Sequence, residues 1–124
     1  MSTDKFLYSP ASTCAETKNE EQGIKYDSSK FRPSLVPVDS LIEIIKVLEF
    51  GAKKYAKDNW KLVKPHSRYL DAALRHIYAY QMGEKTDEET GLSHLSHAAT
   101  CLMFLIHFEN NGEIDVWRNW YCHS

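Results

Sequence analysis

Three separate segments of this chain place apolar residues at the spacing of an α-helix, and this periodicity constrains the fold most. In the first segment Leu41, Ile45 and Leu48 recur at helical intervals. No segment alternates apolar and polar residues as a strand would. The predicted helices run from Val38 to about Lys57, over 68–82 and over 93–108. The sequence therefore predicts an all-α fold, a small bundle of three main helices.

The two ends of the chain lack this period. Residues 1–22 are predicted to form a polar N-terminal arm, residues 23–110 the helical domain, and residues 111–124 an aromatic C-terminal segment. The domain should start with a structured loop, because Gly23, Pro33 and Pro37 punctuate it. A domain this small buries about two thirds of its unfolded surface, so we expect it to be completed as a homo-oligomer. Gly51, inside the first predicted helix, suggests close packing against another backbone.

Charge and cysteine content exclude several classes of protein. The formal net charge of -2 argues against binding of nucleic acid, which needs a basic surface. No segment is apolar over the length that a membrane span or a signal peptide needs. Cys14, Cys101 and Cys122 are odd in number and lack a CxxC pair, so they indicate a reducing, cytoplasmic location.

The most specific group of polar residues is predicted at one end of a helical hairpin. The short loop 84–91 makes the second and third helices antiparallel neighbours, which places His76 near His97. His94 and His97 are three residues apart and share a helix face. The loop carboxylates at the same end are Glu84, Asp87, Glu88 and Glu89.

Three interpretations of this group remain open. Imidazoles and carboxylates together can hold a divalent metal. The histidines and Arg75 can instead hydrogen-bond phosphates or a base directly. In the third interpretation His97 is a core histidine and the carboxylates are a solvated loop.

The segment KYDSSKFRP, residues 25–33, concentrates positive charge ahead of the first helix. It is either a phosphate clamp or a surface loop whose cations pair with nearby acids. In the clamp, Lys30 would attract the phosphate as a point charge and Arg32 would donate two parallel hydrogen bonds to it, while Asp27 would orient one of these two side chains. Further along, Asn59 either reads a base edge or caps a turn, and Trp60 is expected in the core.

Four motifs in order carry a resemblance to a known family. KYDSSKFRPSLVP, FGAKKYAKDNW, RYLDAALRHIYAYQMGE and DEETGLSHLSHAATCLMFL resemble the dATP/dGTP diphosphohydrolase N-terminal family of phages and bacteria over roughly residues 23–109. The resemblance implies an all-helical fold, purine deoxynucleoside triphosphates as substrates and a divalent metal, Mg²⁺ or Mn²⁺. The chain is also distantly similar to all-α NTP pyrophosphohydrolases, oligomers that hold Mg²⁺ with ExxE and ExxD motifs. Glu84 and Asp87 have the ExxD spacing, but no clean ExxE partner is present.

The resemblance implies roles for particular residues. The implied catalytic residues are His94, His97, Glu84 and Asp87, and the implied metal ligands are Glu84, Asp87 and His94. The implied substrate contacts are Asp27, Lys30, Arg32, Lys54, Tyr55, Asn59, Trp60, Arg75 and His76. Three positions depart from the family pattern: Ser29 replaces a usual glycine, and Phe31 and Ser93 replace usual prolines.

The leading hypothesis is thus a metal-dependent nucleoside triphosphate phosphohydrolase or pyrophosphohydrolase, encoded by a phage and acting in the host cytoplasm. An alternative is a binding protein without turnover, which sequesters a nucleotide signal of bacterial anti-phage defence. A third is a structural or regulatory partner that docks through its aromatic C-terminal segment.

Overall fold

Helices dominate the computed structural model, which describes residues 22–114. The helices α1, α2 and α3 span Val38–Lys54, Ser67–Gln81 and His94–Asn110. Within residues 22–114, β-structure is limited to one isolated bridge between Thr86 and Ser93. The predicted all-α fold is therefore confirmed. The predicted polar arm, but for Gln22, and most of the aromatic C-terminal segment lie outside the described residues.

The chain divides into two units, Met1–Val36 and Pro37–Ser124. In the described part of the first unit, the Lys30 N–H donates to the carbonyl of Asp27 at 3.0 Å and closes a turn. A short 3-10 helix follows at Pro33–Leu35, with proline at its first position, where a missing N–H costs nothing. The segment ahead of α1 is thus a structured loop, as predicted, while the bounds of the helical domain at residues 23 and 110 stay a prediction.

The helix α1 ends earlier than its apolar pattern predicts. The Tyr55 N–H donates to the Gly51 carbonyl at 2.9 Å, and α1 ends at Lys54 rather than near Lys57. Asp58 then takes a left-handed conformation, with φ of 64°, before a 3-10 helix at Asn59–Leu62. Among residues 22–114 the expectation of close packing at Gly51 is wrong, because a Cβ placed there would meet no atom of this part of the chain within 4 Å.

The core is built around α3, which packs against both α1 and α2. Phe108 is 1% exposed and stacks on the His66 ring, which precedes α2, with 3.6 Å between centroids. Trp60, from the 3-10 helix, stacks on Phe104 at 4.2 Å. Aromatic pairs of this kind contribute about 0.5–1.5 kcal/mol beyond the burial of their area. They fix the end of α3 that lies far from His94.

The helix α1 contributes much less to this core. None of its residues, all of which the structure describes, is buried. Its apolar side chains Val38, Leu41, Ile42 and Ile45 are 41–65% exposed.

The predicted homo-oligomer stays a prediction. Among the described residues, no helix is long and apolar enough to cross a membrane.

Candidate functional site

The loop between α2 and α3 folds back on itself and so brings distant polar residues together. Gly83 takes a positive φ of 102°, which ends α2 with little strain because glycine has no Cβ. The Asp87 N–H then donates to the Leu92 carbonyl at 2.9 Å, and the His94 N–H donates to the Lys85 carbonyl at 3.0 Å. These backbone bonds hold the side chain of Asp87 beside the start of α3.

The first turn of α3 continues this arrangement. The Ser93 hydroxyl accepts a hydrogen bond from the Leu95 N–H at 3.0 Å and caps the helix. His94 and His97 therefore project from the first turn toward α2, where His76 meets them. The ring of His76 stacks on that of His97, with 4.6 Å between centroids and 12° between planes. The convergence predicted from the hairpin is present.

His76, Asp87 and His94 form the group best suited to hold a metal ion. Each offers one ligand atom, and these three atoms all lie within 4.8 Å of one another. The Nδ1 atoms of His76 and His94 are 2.8 Å apart. This distance is that of a hydrogen bond, in which one ring carries the proton and the other accepts it.

Glu84 lies on the other side of His94. Its Oε1 is 3.6 Å from His94 Nε2, while Glu84 itself is half exposed and His94 is buried. Within the described residues, His94 Nε2 makes no hydrogen bond. Because 3.6 Å exceeds hydrogen-bonding distance, Glu84 faces this nitrogen without bonding to it. The prediction that Glu84 binds a metal directly stays a prediction.

Thr90 is a site residue that the sequence analysis missed. Its hydroxyl lies 2.7 Å from His97 Nε2 and 3.2 Å from Asp87 Oδ2, and it accepts from the Leu92 N–H at 3.1 Å. The Thr90 N–H also donates to Asp87 Oδ2 at 3.0 Å. A signal was available, because Asp followed three residues later by Thr favours a turn in which the carboxylate accepts backbone N–H groups.

Burial and neighbouring charges shift the pKa values of this group. Burial, together with the charges of neighbouring imidazoles, lowers the pKa of His76, and burial lowers that of His97. Burial alone would raise the pKa of Asp87, but the hydrogen bonds from Thr90 and the nearby His97 outweigh it, so this pKa is lowered. At neutral pH, His76 and His97 are therefore neutral, and Asp87 is ionised.

The rings of His76, His94 and His97 form a histidine cluster. An open cleft of about 1030 Å³ lies beside it, between α1, α2 and α3. His97 belongs to both, because it lines the cleft and stacks on His76. The cationic residues that line the cleft are Lys57, Arg68 and Arg75, and the aromatic ones include Tyr55, Trp60, Tyr69 and Phe104. Burial raises the pKa of Tyr69 to about 12, so its hydroxyl stays protonated.

The structure brings some predicted substrate contacts together and not others. Tyr55, Asn59, Trp60 and Arg75 line the cleft with His97. Lys54 does not line it, and instead forms an ion pair with Glu89 at 2.6 Å. This bond is the main cause that raises the pKa of Lys54. Asp27, Lys30 and Arg32 belong to the other structural unit, and their roles stay predictions.

Comparison with known proteins identifies the family. The family described as dATP/dGTP diphosphohydrolase, N-terminal, matches residues 20–116. A protein of Salmonella phage PMBT28, named dATP/dGTP diphosphohydrolase, is 39% identical over 98 residues, which are 79% of this chain and 33% of that relative. The chain thus spans about a third of the relative's length. No solved structure matches the chain. By this match the chain belongs to the dATP/dGTP diphosphohydrolase N-terminal family.

Proposed function

We propose that this chain is a nucleotide phosphohydrolase that acts on purine (d)NTPs in the cytoplasm, with a divalent metal bound at the histidine cluster. The observation that carries the proposal is that the group His76, Asp87 and His94, which could hold a metal, adjoins a cleft large enough for a nucleotide. His97 connects the two, because it lines the cleft and stacks on His76. Ligand sites of about 300–1,000 Å³ are typical for small molecules. The name of the phage relative supports purine triphosphates as the substrate class.

The donor set fits a transition metal better than it fits Mg²⁺. Two imidazoles and one carboxylate suit first-row transition metals better than Mg²⁺, which prefers oxygen ligands and keeps several waters, and Mn²⁺ is the transition metal of the two expected ions. The lowered pKa values of His76 and Asp87 favour the lone pairs that a metal needs. His94 would bind through Nδ1, with its Nε2–H facing Glu84. Such outer carboxylates orient metal-binding histidines in many proteins.

A bound divalent ion would supply positive charge to the phosphate oxygens as the phosphorus–oxygen bond breaks. The remaining charge would come from Arg75 and Arg68, which line the cleft and can donate in pairs to phosphate oxygens. Lys30 and Arg32, in the other unit, are proposed as the phosphate clamp. Positive charge of this kind dominates the stabilisation of phosphoryl transfer.

The purine would occupy the aromatic part of the cleft. Tyr55 lines the cleft with Trp60 and is 63% exposed, so its ring has surface available for stacking on a base. Stacking on aromatic side chains contributes about 1–3 kcal/mol per base. Asn59 lies beside Trp60 and is proposed to read the edge of the base through its amide.

In the chemical step, His97 would accept a proton from the attacking water. The water oxygen forms a new bond to phosphorus, the bond from phosphorus to the leaving oxygen breaks, and the proton of water passes to the imidazole. The lowered pKa of His97 keeps the ring neutral at neutral pH, as a proton acceptor must be.

The test is a thermal-shift screen of dATP, dGTP, the other NTPs and cyclic dinucleotides, with and without Mn²⁺ or Mg²⁺, followed by chromatography of each nucleotide. We expect a Mn²⁺-dependent shift with dATP or dGTP and release of a dephosphorylated product. Asp87→Asn should abolish the effect of Mn²⁺. Asp71→Asn, on the exposed surface of α2, is the matched control and should behave as the unaltered protein. A large shift without metal and with the nucleotide recovered intact would support the sequestering protein instead.

A further inference from the structure

The hydroxyl of Thr90 lies at the centre of three hydrogen-bonding groups. Asp87 Oδ2, His97 Nε2 and the Leu92 N–H are 3.2 Å, 2.7 Å and 3.1 Å from Thr90 Oγ1. A threonine hydroxyl has one proton to donate and two lone pairs that accept. Each of the three neighbours must therefore take one of these three places.

The chemistry of the neighbours decides which place each one takes. The Leu92 N–H is a backbone donor, so it occupies one lone pair of the hydroxyl. Asp87 Oδ2 already accepts from the backbone N–H groups of Glu89 and Thr90, so this oxygen is an acceptor and receives the hydroxyl proton. One lone pair is left, and it faces His97 Nε2 across the shortest of the three distances. His97 Nε2 must then carry a proton and donate it.

We propose that Thr90 is a positioning residue that fixes His97 in the tautomer with its proton on Nε2, so that Nδ1 keeps the lone pair. This inference rests on the proposed function for its catalytic meaning, because Nδ1 becomes the atom at which His97 accepts the proton of water. The tautomer itself follows from the contacts alone. Thr90 also binds Asp87, so one hydroxyl aligns a metal-binding carboxylate and a proton acceptor at once.

Neighbouring groups reinforce this assignment. The His97 ring is stacked on that of His76, with 12° between planes, which keeps the plane of the His97 ring in line with Thr90. The backbone N–H groups of Glu89 and Thr90 donate to Asp87 Oδ2 at 3.1 and 3.0 Å, which holds that oxygen where the hydroxyl proton reaches it. Outer hydrogen bonds of this type typically change metal affinity or activity by about 10–100-fold when they are removed.

The first experiment is ¹⁵N NMR of the histidine side chains in the full-length, metal-free protein with EDTA present. We expect His97 to carry its proton on Nε2, with a side-chain N–H resonance that exchanges slowly with water. A proton on Nδ1 would overturn the inference. Because no metal or nucleotide is present, this result is independent of whether the protein hydrolyses anything.

Variants of Thr90 then test its role. Thr90→Val should lose the protected His97 N–H signal, and Thr90→Ser, which keeps the hydroxyl, should retain it. Thr86→Val is the matched control on the exposed part of the same loop and should leave the signal unchanged. With Mn²⁺ and dGTP, Thr90→Val should lower kcat by about 10–100-fold while Thr90→Ser restores it. An unchanged N–H signal and kcat in Thr90→Val would refute the positioning role.

Discussion

Replacing Phe108 by alanine should destabilise the fold by about 3–5 kcal/mol, the usual cost of truncating a fully buried phenylalanine. Phe108 is 1% exposed, stacks on His66 and meets the edge of Trp60 at 5.7 Å between centroids. The alanine side chain leaves a cavity among these rings. Phe108→Leu keeps most of the apolar volume and loses mainly the stacked pair, so it should cost about 0.5–1.5 kcal/mol.

Urea unfolding followed by far-UV circular dichroism measures both losses. A domain of this size is stabilised by about 5–15 kcal/mol, so the alanine variant has little stability to spare and the leucine variant keeps the comparison measurable. Phe31→Ala is the matched control, because Phe31 is 89% exposed and its removal should change stability by less than about 0.5 kcal/mol. Equal losses for Phe108→Ala and Phe31→Ala would refute the assignment of the core.

The same variants test whether the core and the histidine cluster are independent. Phe108 lies about 21 Å from His94 along α3, at about 1.5 Å per residue. Changes this far apart usually add independently. Phe108→Leu should therefore leave Mn²⁺ affinity unchanged in a calorimetric titration. Loss of Mn²⁺ binding in this variant would show that the site depends on the far end of the helix.

Other perturbations have defined outcomes. Gly51→Ala should stabilise the protein by about 0.5–1 kcal/mol in urea unfolding, because the added Cβ has free space in α1. Weaker nucleotide binding in this variant would place the ligand against that helix. Stability should fall as pH drops below 6.5, because His76 and His97 bind protons in the unfolded chain but not in the folded one. It should fall again below pH 3.8 as Asp87 is protonated. Urea midpoints that stay constant from pH 8 to 5 would contradict the first of these effects. Arg32→Ala should weaken nucleotide binding by about 1.5–3 kcal/mol in calorimetry, and an unchanged dissociation constant would remove this loop from the phosphate site. Light scattering should give a mass above the 14.3 kDa of one chain if the predicted homo-oligomer forms.

The helices were predictable because their apolar periodicity is strong. The second and third predicted helices match α2 and α3 to within two residues at each end. The end of α1 was not predictable from periodicity, because the backbone leaves the helix after the last helical bond, from the Tyr55 N–H to the Gly51 carbonyl, and turns at the left-handed Asp58, while alanine and lysine continue the pattern. A left-handed residue that is not glycine leaves no clear mark in a sequence.

The histidine cluster was predictable from the length of the loop between the second and third helices. A short loop fixes which residues of two antiparallel helices face each other, and so His76 could be placed near His97. The role of Thr90 was not predictable, because it depends on how the loop folds back and where three separate hydrogen-bonding atoms meet. Likewise, Trp60 was expected in the core, but nothing in the sequence indicated that its stack on Phe104 lies along a cleft.

The uneven burial of the helices has a consequence for how a ligand enters. Two of the helices that line the cleft are packed to different extents. The buried side chains of α3 hold it in the core, whereas α1 has no buried residue and is held less strongly. The C-terminal end of α1 contacts the α2–α3 loop through the exposed Lys54–Glu89 ion pair. Salt in solution screens the attraction between these two charges. Local opening starts where the fewest apolar contacts are buried. Amide hydrogens of α1 will therefore exchange with solvent before those of α3. Higher ionic strength will make α1 separate from α3 more often, which opens the cleft.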